Sequence, residues 1–137
     1  MASLNDNEKD KILIIDFGSQ VTKLIARRVR DLGVYSEIIS SKNLPKLNNY
    51  QNIRGIILSG GPSTVTKVKF PSISKEIFEK KIPILGICYG LQLIAKLFGG
   101  KIKSSKKRRE FGRAILLKRG QSLLTKNFFT SKKSVWM

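Results

Sequence analysis

The sequence predicts an α/β protein in three αβα layers, a mostly parallel central sheet covered on both faces by helices. Compact apolar runs of strand length recur at KILIID (11–16), VYSEII (34–39), RGIIL (54–58) and PILGI (83–87). Such runs mark buried parallel strands, because a strand with one wet face would alternate apolar and polar residues. Stretches of helical period lie between and after them. Three unusual turns, DFGSQ, SGGPS and GICYG, each follow a run, at the carboxyl ends where open parallel sheets collect their chemistry.

The elements follow in order from local signals. From Ser19 the period becomes helical, with Val21, Leu24, Ile25, Val29 and Leu32 on one face and Lys23, Arg27 and Arg30 off it. Gly33 stops this helix as a C-cap glycine would. After the second strand a loop with Asn43, Pro45, Asn48 and Asn49 leads to the third, which ends in the double glycine of SGGPS. Pro71 and Ser72 introduce a short helix with Ile73, Ile77 and Phe78 inward. The strand PILGI, the turn at Cys88 and an apolar helix through Phe98 complete the pattern, closed by Gly99 and Gly100. Beyond it KIK, GRAILLK and SVWM read as strands of an antiparallel extension. Residues 1–10 read as a flexible polar tail and 11–137 as one domain, since 137 residues suit a single core.

Composition narrows the class. Hydrophobic residues make up 41% of the chain and are spread over several segments, which excludes a disordered polymer. Every apolar run is interrupted long before the roughly 20 residues of a membrane span, so no membrane partner is expected. The N-terminal MASLNDNEKD has no apolar core for export, and a cytoplasmic location is the expectation. The net charge of +18 raises nucleic-acid binding. The densest basic run, KIKSSKKRRE (101–110), has only Phe111 close to it. The aromatic interleaving of a strand-binding platform is missing, and solvated surface is the better reading of the charge.

The single cysteine, Cys88, can be a small buried side chain or a nucleophile. The G-x-C-x-G spacing between strand and helix is that of a nucleophile elbow, in which Gly86 and Gly90 let backbones approach where a Cβ would not fit. A thiol there also sits at a helix N-terminus, whose positive dipole end favours thiolate. Spacing alone leaves both readings open; context favours the nucleophile. Gln92, one helical turn beyond Cys88, is conspicuous on an otherwise apolar helix and suits an amide substrate. In SGGPS, the N–H groups of Gly60 and Gly61, with that of Tyr89, can form an oxyanion hole. No metal site is expected.

KILIIDFGSQVTKLIARRVRDLGVYSEI, GIILSGGPS, PILGICYGLQLIAKLFGG, REFGRA and the closing VWM resemble the class I glutamine amidotransferase domain of glutamine-hydrolysing GMP synthases, over essentially the whole of residues 11–137. GICYG-x-Q with SGGP belongs to the class I superfamily; DFGSQ, REFG and VWM point to the GMP synthase branch. The resemblance implies a flavodoxin-like fold and thioester chemistry in which cysteine attacks the side-chain amide of glutamine and releases ammonia. It assigns the nucleophile to Cys88, the oxyanion hole to Gly60 and the Tyr89 N–H, and a substrate contact to Gln92. It further implies an ATP-dependent synthetase domain as partner, which aminates xanthosine monophosphate, and a homodimeric parent protein. ATP and magnesium would belong to that domain; no cofactor is expected in this chain.

One part of the machinery is not in the sequence. Cysteine nucleophiles of this kind use a histidine base held by a carboxylate, and none of the 137 residues is histidine. In the family, Ser-His-Gly-Asp typically follows VWM. The expectation is therefore an amidotransferase domain truncated at its C-terminus before the base, with negligible glutamine hydrolysis on its own. Two alternatives remain at this stage: a non-catalytic glutamine-binding or regulatory fragment, and a basic nucleic-acid-binding protein.

Overall fold

In a computed structural model, which describes residues 9–44, 50–103, 112–128 and 131–137, the apolar runs form strands close to where their composition assigns them. The order is β1 (Lys11–Asp16), α1 (Thr22–Asp31), β2 (Tyr35–Ser40), β3 (Ile53–Leu58), α2 (Glu76–Glu79), β4 (Ile84–Gly86), α3 (Tyr89–Leu97), β5 (Arg113–Leu117) and β6 (Lys132–Trp136). Residues 1–8 of the expected tail, 45–49 of the expected loop with Pro45, Asn48 and Asn49, and 104–110 of the basic run with Phe111 lie outside the described residues. The chain divides into two compact units, 1–103 and 104–137.

In the first unit the strands form one parallel sheet in the order β2-β1-β3-β4. The sheet grows from β1 to one side through α1 and to the other through α2. Crossovers between parallel strands are right-handed, so this reversal places helices on opposite faces. Side-chain alternation along β1 agrees. Leu13 and Ile15 join Phe17, Ile56, Leu58, Val65, Ile77, Tyr89 and Leu93 in the main core on one face. Ile12 pairs in register with Ser36, whose hydroxyl donates to the Ala26 carbonyl of α1 (3.0 Å), so Ile12 and the fully buried Ile14 face α1. The α/β class, with its parallel sheet between helices, is as the sequence predicts.

Two local expectations differ. The face α1 turns inward carries Thr22 and Ala26, while Val21, Leu24 and Leu32 are 47%, 49% and 83% exposed. Small residues at 22 and 26 let the helix come close enough for Ser36 to reach its backbone. The helix expected after Pro71 is a single turn, with Ile73 buried but ahead of it. KIK (101–103) is not a strand. In the second unit β5 and β6 do pair antiparallel, Arg113 opposite Trp136, and hydrogen bonds between Gly112 and Met137 in both directions close the end of the ladder. Among the described residues no helix is long and apolar enough to cross a membrane.

Candidate active site

The carboxyl ends of β1, β3 and β4 bring DFGSQ, SGGPS and GICYG together, and the sharpest of the three turns is the last. Cys88 links β4 to α3 with φ 49° and ψ −107°, a conformation that a residue with a Cβ adopts only at a cost. The surroundings hold it there. The Ile87 N–H donates to the Leu58 carbonyl (2.9 Å), and that of Gly90 donates to the carbonyls of Ser59 (3.1 Å) and Ile87 (2.9 Å). Both bonds across to the β3 end require close approach. A Cβ on Gly90 would lie 2.2 Å from the Leu58 oxygen, and one on Gly86 would lie 2.7 Å from the Gly90 carbonyl carbon. The two elbow glycines are thus demanded by one contact, the seating of the first turn of α3 on β3 and β4. The turn leaves Cys88 exposed.

SGGPS sits directly against this thiol. A Cβ position at Gly60 is 3.6 Å from Cys88 Cβ and 3.6 Å from Ser19 Oγ, so Gly60 lies between the elbow and the DFGSQ loop. Gly61 packs on Phe17, whose carbonyl oxygen would be 2.6 Å from a Cβ there. The N–H groups of Gly60, Gly61 and Tyr89 have no acceptor among the described residues, as expected of Tyr89 in the first turn of a helix.

Gln92 is tied to the elbow through its backbone, its N–H donating to the Cys88 carbonyl (3.1 Å). Its Oε1 is buried and is the one buried side-chain polar atom without a partner among the described residues. Buried acceptors left without a partner are rare, and this one belongs to the residue one helical turn beyond Cys88. The sequence-predicted residues Cys88, Gly60, Gly61, Tyr89, Gln92, Gly86 and Gly90 therefore form one cluster at the rim of the sheet. Among the described residues no group of histidine, cysteine, aspartate or glutamate side chains could hold a metal ion.

Three further residues, Ser59, Asp16 and Phe17, frame the cluster and were not singled out for it individually by sequence reasoning. Ser59, fully buried, accepts from the Phe17 N–H (3.3 Å) and donates to the Gly60 carbonyl (3.0 Å), which fixes the peptide that leads into Gly61. Asp16 Oδ1 accepts from the N–H groups of Gly18 (2.9 Å) and Ser19 (3.3 Å) and from the Thr22 hydroxyl (2.8 Å), closing DFGSQ into a turn at the start of α1. The Tyr89 ring packs on Phe17 with centroids 5.1 Å apart, and its hydroxyl donates to the Pro71 carbonyl. Burial holds this phenol above its ordinary pKa of 10.0. Ser59, Asp16 and Phe17 all lie within or beside the turns the sequence marked, and the signal that could have found them is their position at strand ends.

Comparison with known proteins places the geometry in a family. The profile of the glutamine amidotransferase class-I family matches residues 13–136. Glutamine-hydrolysing GMP synthase from Petrotoga mobilis is 49% identical over 93% of this chain, and that from Treponema denticola 51% identical over 93%. The enzyme of Ligilactobacillus salivarius is 44% identical over the whole chain. The chain spans about a quarter of the length of these relatives, from 24% to 26%. Among solved structures, that of a GMP synthase component from Thermoplasma acidophilum superposes with a TM-score of 0.69 at 29% identity, over 94% of this chain and 64% of that one.

Proposed function

The chain belongs to the class I glutamine amidotransferase family, and on that premise we propose that it carries the glutamine-binding and nucleophilic half of an amidotransferase site. Cys88 is the nucleophile. Its thiolate adds to the side-chain amide carbon of glutamine, and the N–H groups of Gly60 and Tyr89, with Gly61 behind them, take the developing oxyanion. The C–N bond then breaks, the nitrogen takes up one proton, equivalent to the one the thiol lost, and leaves as ammonia, and a γ-glutamyl thioester remains for water to hydrolyse to glutamate. Gln92 Oε1 accepts from a donor on the substrate. The observation that carries this reading is the open, buried Oε1 of Gln92 one helical turn from the strained Cys88.

Protonating the leaving nitrogen calls for a general acid and activating the water for a general base, two roles one histidine can fill in turn, and this sequence holds no histidine. The 137 residues alone therefore bind glutamine and present a thiol but do not turn substrate over. In the parent protein the ammonia passes to an ATP-dependent synthetase domain, in the same chain or in trans, which aminates xanthosine monophosphate to GMP. Support for this branch is the identity to GMP synthases on three of the relatives compared. On this reading ATP and magnesium belong to the synthetase domain, the parent works as a homodimer in the cytoplasm, and neither a membrane nor a nucleic acid is a partner.

The test has two parts. Purified chain incubated with glutamine should release no ammonia above the uncatalysed background; turnover comparable to that of a complete amidotransferase would overturn the inactivity. A glutamine-mimicking electrophile should label wild type at Cys88, leave Cys88→Ala unlabelled, and be blocked by excess glutamine. Labelling that glutamine does not slow would remove the proposed pocket. Glutamine binding, measured directly by calorimetry, without any labelling of Cys88 would favour the second reading, a non-catalytic glutamine-binding module, which the unpartnered Gln92 acceptor also supports.

A further inference from the structure

We propose that a second site, unconnected with the elbow, binds a small phosphate-bearing anion at the far end of α3. An open cavity of about 400 Å3 there is lined by Lys96, Lys101, Lys103, Thr66, Val65 and Ile102. Lys96 is eight residues along the helix from Cys88, so at 1.5 Å per residue it stands roughly 12 Å down the axis from the thiol. The two ends of α3 therefore serve different sites.

The lining selects the ligand. Three lysines border the cavity, and among the described residues no acidic residue does. Lys96, Lys101 and Lys103 are exposed and make no ion pair among the described residues. In a typical surface they would be interleaved with acids. The sequence around them supplies little counter-charge, since 101–110 contains six bases and a single acid, Glu110. The negative dipole end of α3 is nearby, but half a charge there is outweighed by three full cations. Lysine binds phosphate as a point charge with three donors, and the Thr66 hydroxyl, now 3.0 Å from that of Thr64, adds a neutral group of the right kind.

Shape argues for a small ligand over a polymer. The volume lies in the range of small-molecule pockets. Val65, 2% exposed, and the half-buried Ile102 give it an apolar wall. Among the described residues no aromatic side chain lines it, so bases of a single strand would find nothing there to stack on. The chemistry common to inorganic pyrophosphate and to the diphosphate of a nucleotide is what the three lysines recognise.

Titration calorimetry on the full 137-residue chain at about 150 mM salt, where charges are screened beyond about 8 Å, tests the site. Pyrophosphate and a nucleoside diphosphate are titrated separately into wild type, into a Lys96→Gln/Lys101→Gln/Lys103→Gln variant, and into a control, Lys23→Gln/Arg27→Gln/Lys75→Gln, that removes equal charge elsewhere. Saturable one-site binding is expected for wild type, weakened at least about tenfold in the site variant and less than about twofold in the control. A nucleoside diphosphate binding more tightly than pyrophosphate assigns the apolar wall to the organic part; equal affinity assigns the site to phosphate alone. Equal loss in both variants, or no saturable heat with wild type, overturns the proposal. So does a single-stranded oligonucleotide that binds more tightly than either probe and depends equally on both sets of cations. All six substituted side chains are exposed, and matching thermal midpoints verify that the variants fold alike.

Discussion

At Cys88 the backbone and the chemistry pull in opposite directions. A side chain at φ 49° and ψ −107° costs on the order of 1–3 kcal/mol, and glycine, which escapes that strain, costs roughly 0.5–1 kcal/mol in lost chain entropy. Cys88→Gly should therefore raise stability by about 1 kcal/mol over Cys88→Ala, which keeps a Cβ and so keeps the strain. Two positions on, the sign reverses. A methyl at Gly90 would meet the Leu58 carbonyl at 2.2 Å, and backbone must shift to admit it, so Gly90→Ala should lose at least about 2 kcal/mol. Urea midpoints of the three variants measure both effects, and a Cys88→Gly midpoint at or below that of Cys88→Ala would show that the elbow is unstrained. These residues were legible because a G-x-C-x-G turn writes its steric needs into the sequence. The buried Ser59 was not, because a serine at a strand end carries no sign of which peptide it will hold.

At the scale of elements, the strands were readable and the seating of α1 was not. Parallel strands buried on both faces need apolar runs whatever their neighbours are, so composition finds them. A helix is different. Its apolar stripe shows where greasy surface lies, whereas its contact with a sheet depends on how near the backbones come. Ala26 and Thr22 allow the Ser36 hydroxyl to reach the Ala26 carbonyl, and the helix is turned away from the face its leucines suggest. The junction of α3 with the loop before α2 rests on Tyr89 in a comparable way. Its hydroxyl donates to the Pro71 carbonyl while its ring fills the space against Phe17. Tyr89→Phe keeps the ring and loses the bond, a loss of about 1 kcal/mol. The phenol's pKa is raised by burial, so the folded state favours the protonated form. Its contribution is whole below the unfolded pKa near 10 and falls as pH rises through the folded value. Between about pH 9 and 11 wild type should thus lose stability faster than Tyr89→Phe, as thermal midpoints in that range would register; parallel slopes would mean the phenol ionises freely.

Over the whole molecule, apolar exposure and net charge act against each other. Leu32, Phe98, Trp136 and Leu123 are 83%, 63%, 82% and 95% exposed, more large apolar surface than solubility alone favours. The formal charge of +18 opposes the association this surface would drive, because like charges on approaching copies repel. Which effect prevails depends on the ionic strength. Near 10 mM salt the screening length is about 30 Å, comparable to a small domain, and repulsion should keep the chain monomeric; near 1 M it is about 3 Å and the apolar surface acts unopposed. Sedimentation velocity at fixed protein concentration should therefore show association growing with sodium chloride. An electrostatically driven oligomer would dissociate over the same range, and that result would overturn the argument. Introducing charge at the exposed apolar positions distinguishes the cause further. Leu32→Lys should shift the onset of association to higher salt without a matching change in thermal midpoint, since its side chain lies outside the core; Phe98→Lys should shift the onset likewise but lower the midpoint, because the Phe98 ring packs edge-to-face on Phe78 with centroids 4.9 Å apart. A variant that associates as readily as wild type would clear that residue of any part in the contact. The +18 is then the property that keeps exposed apolar surface dispersed, and its removal by screening is what reveals it.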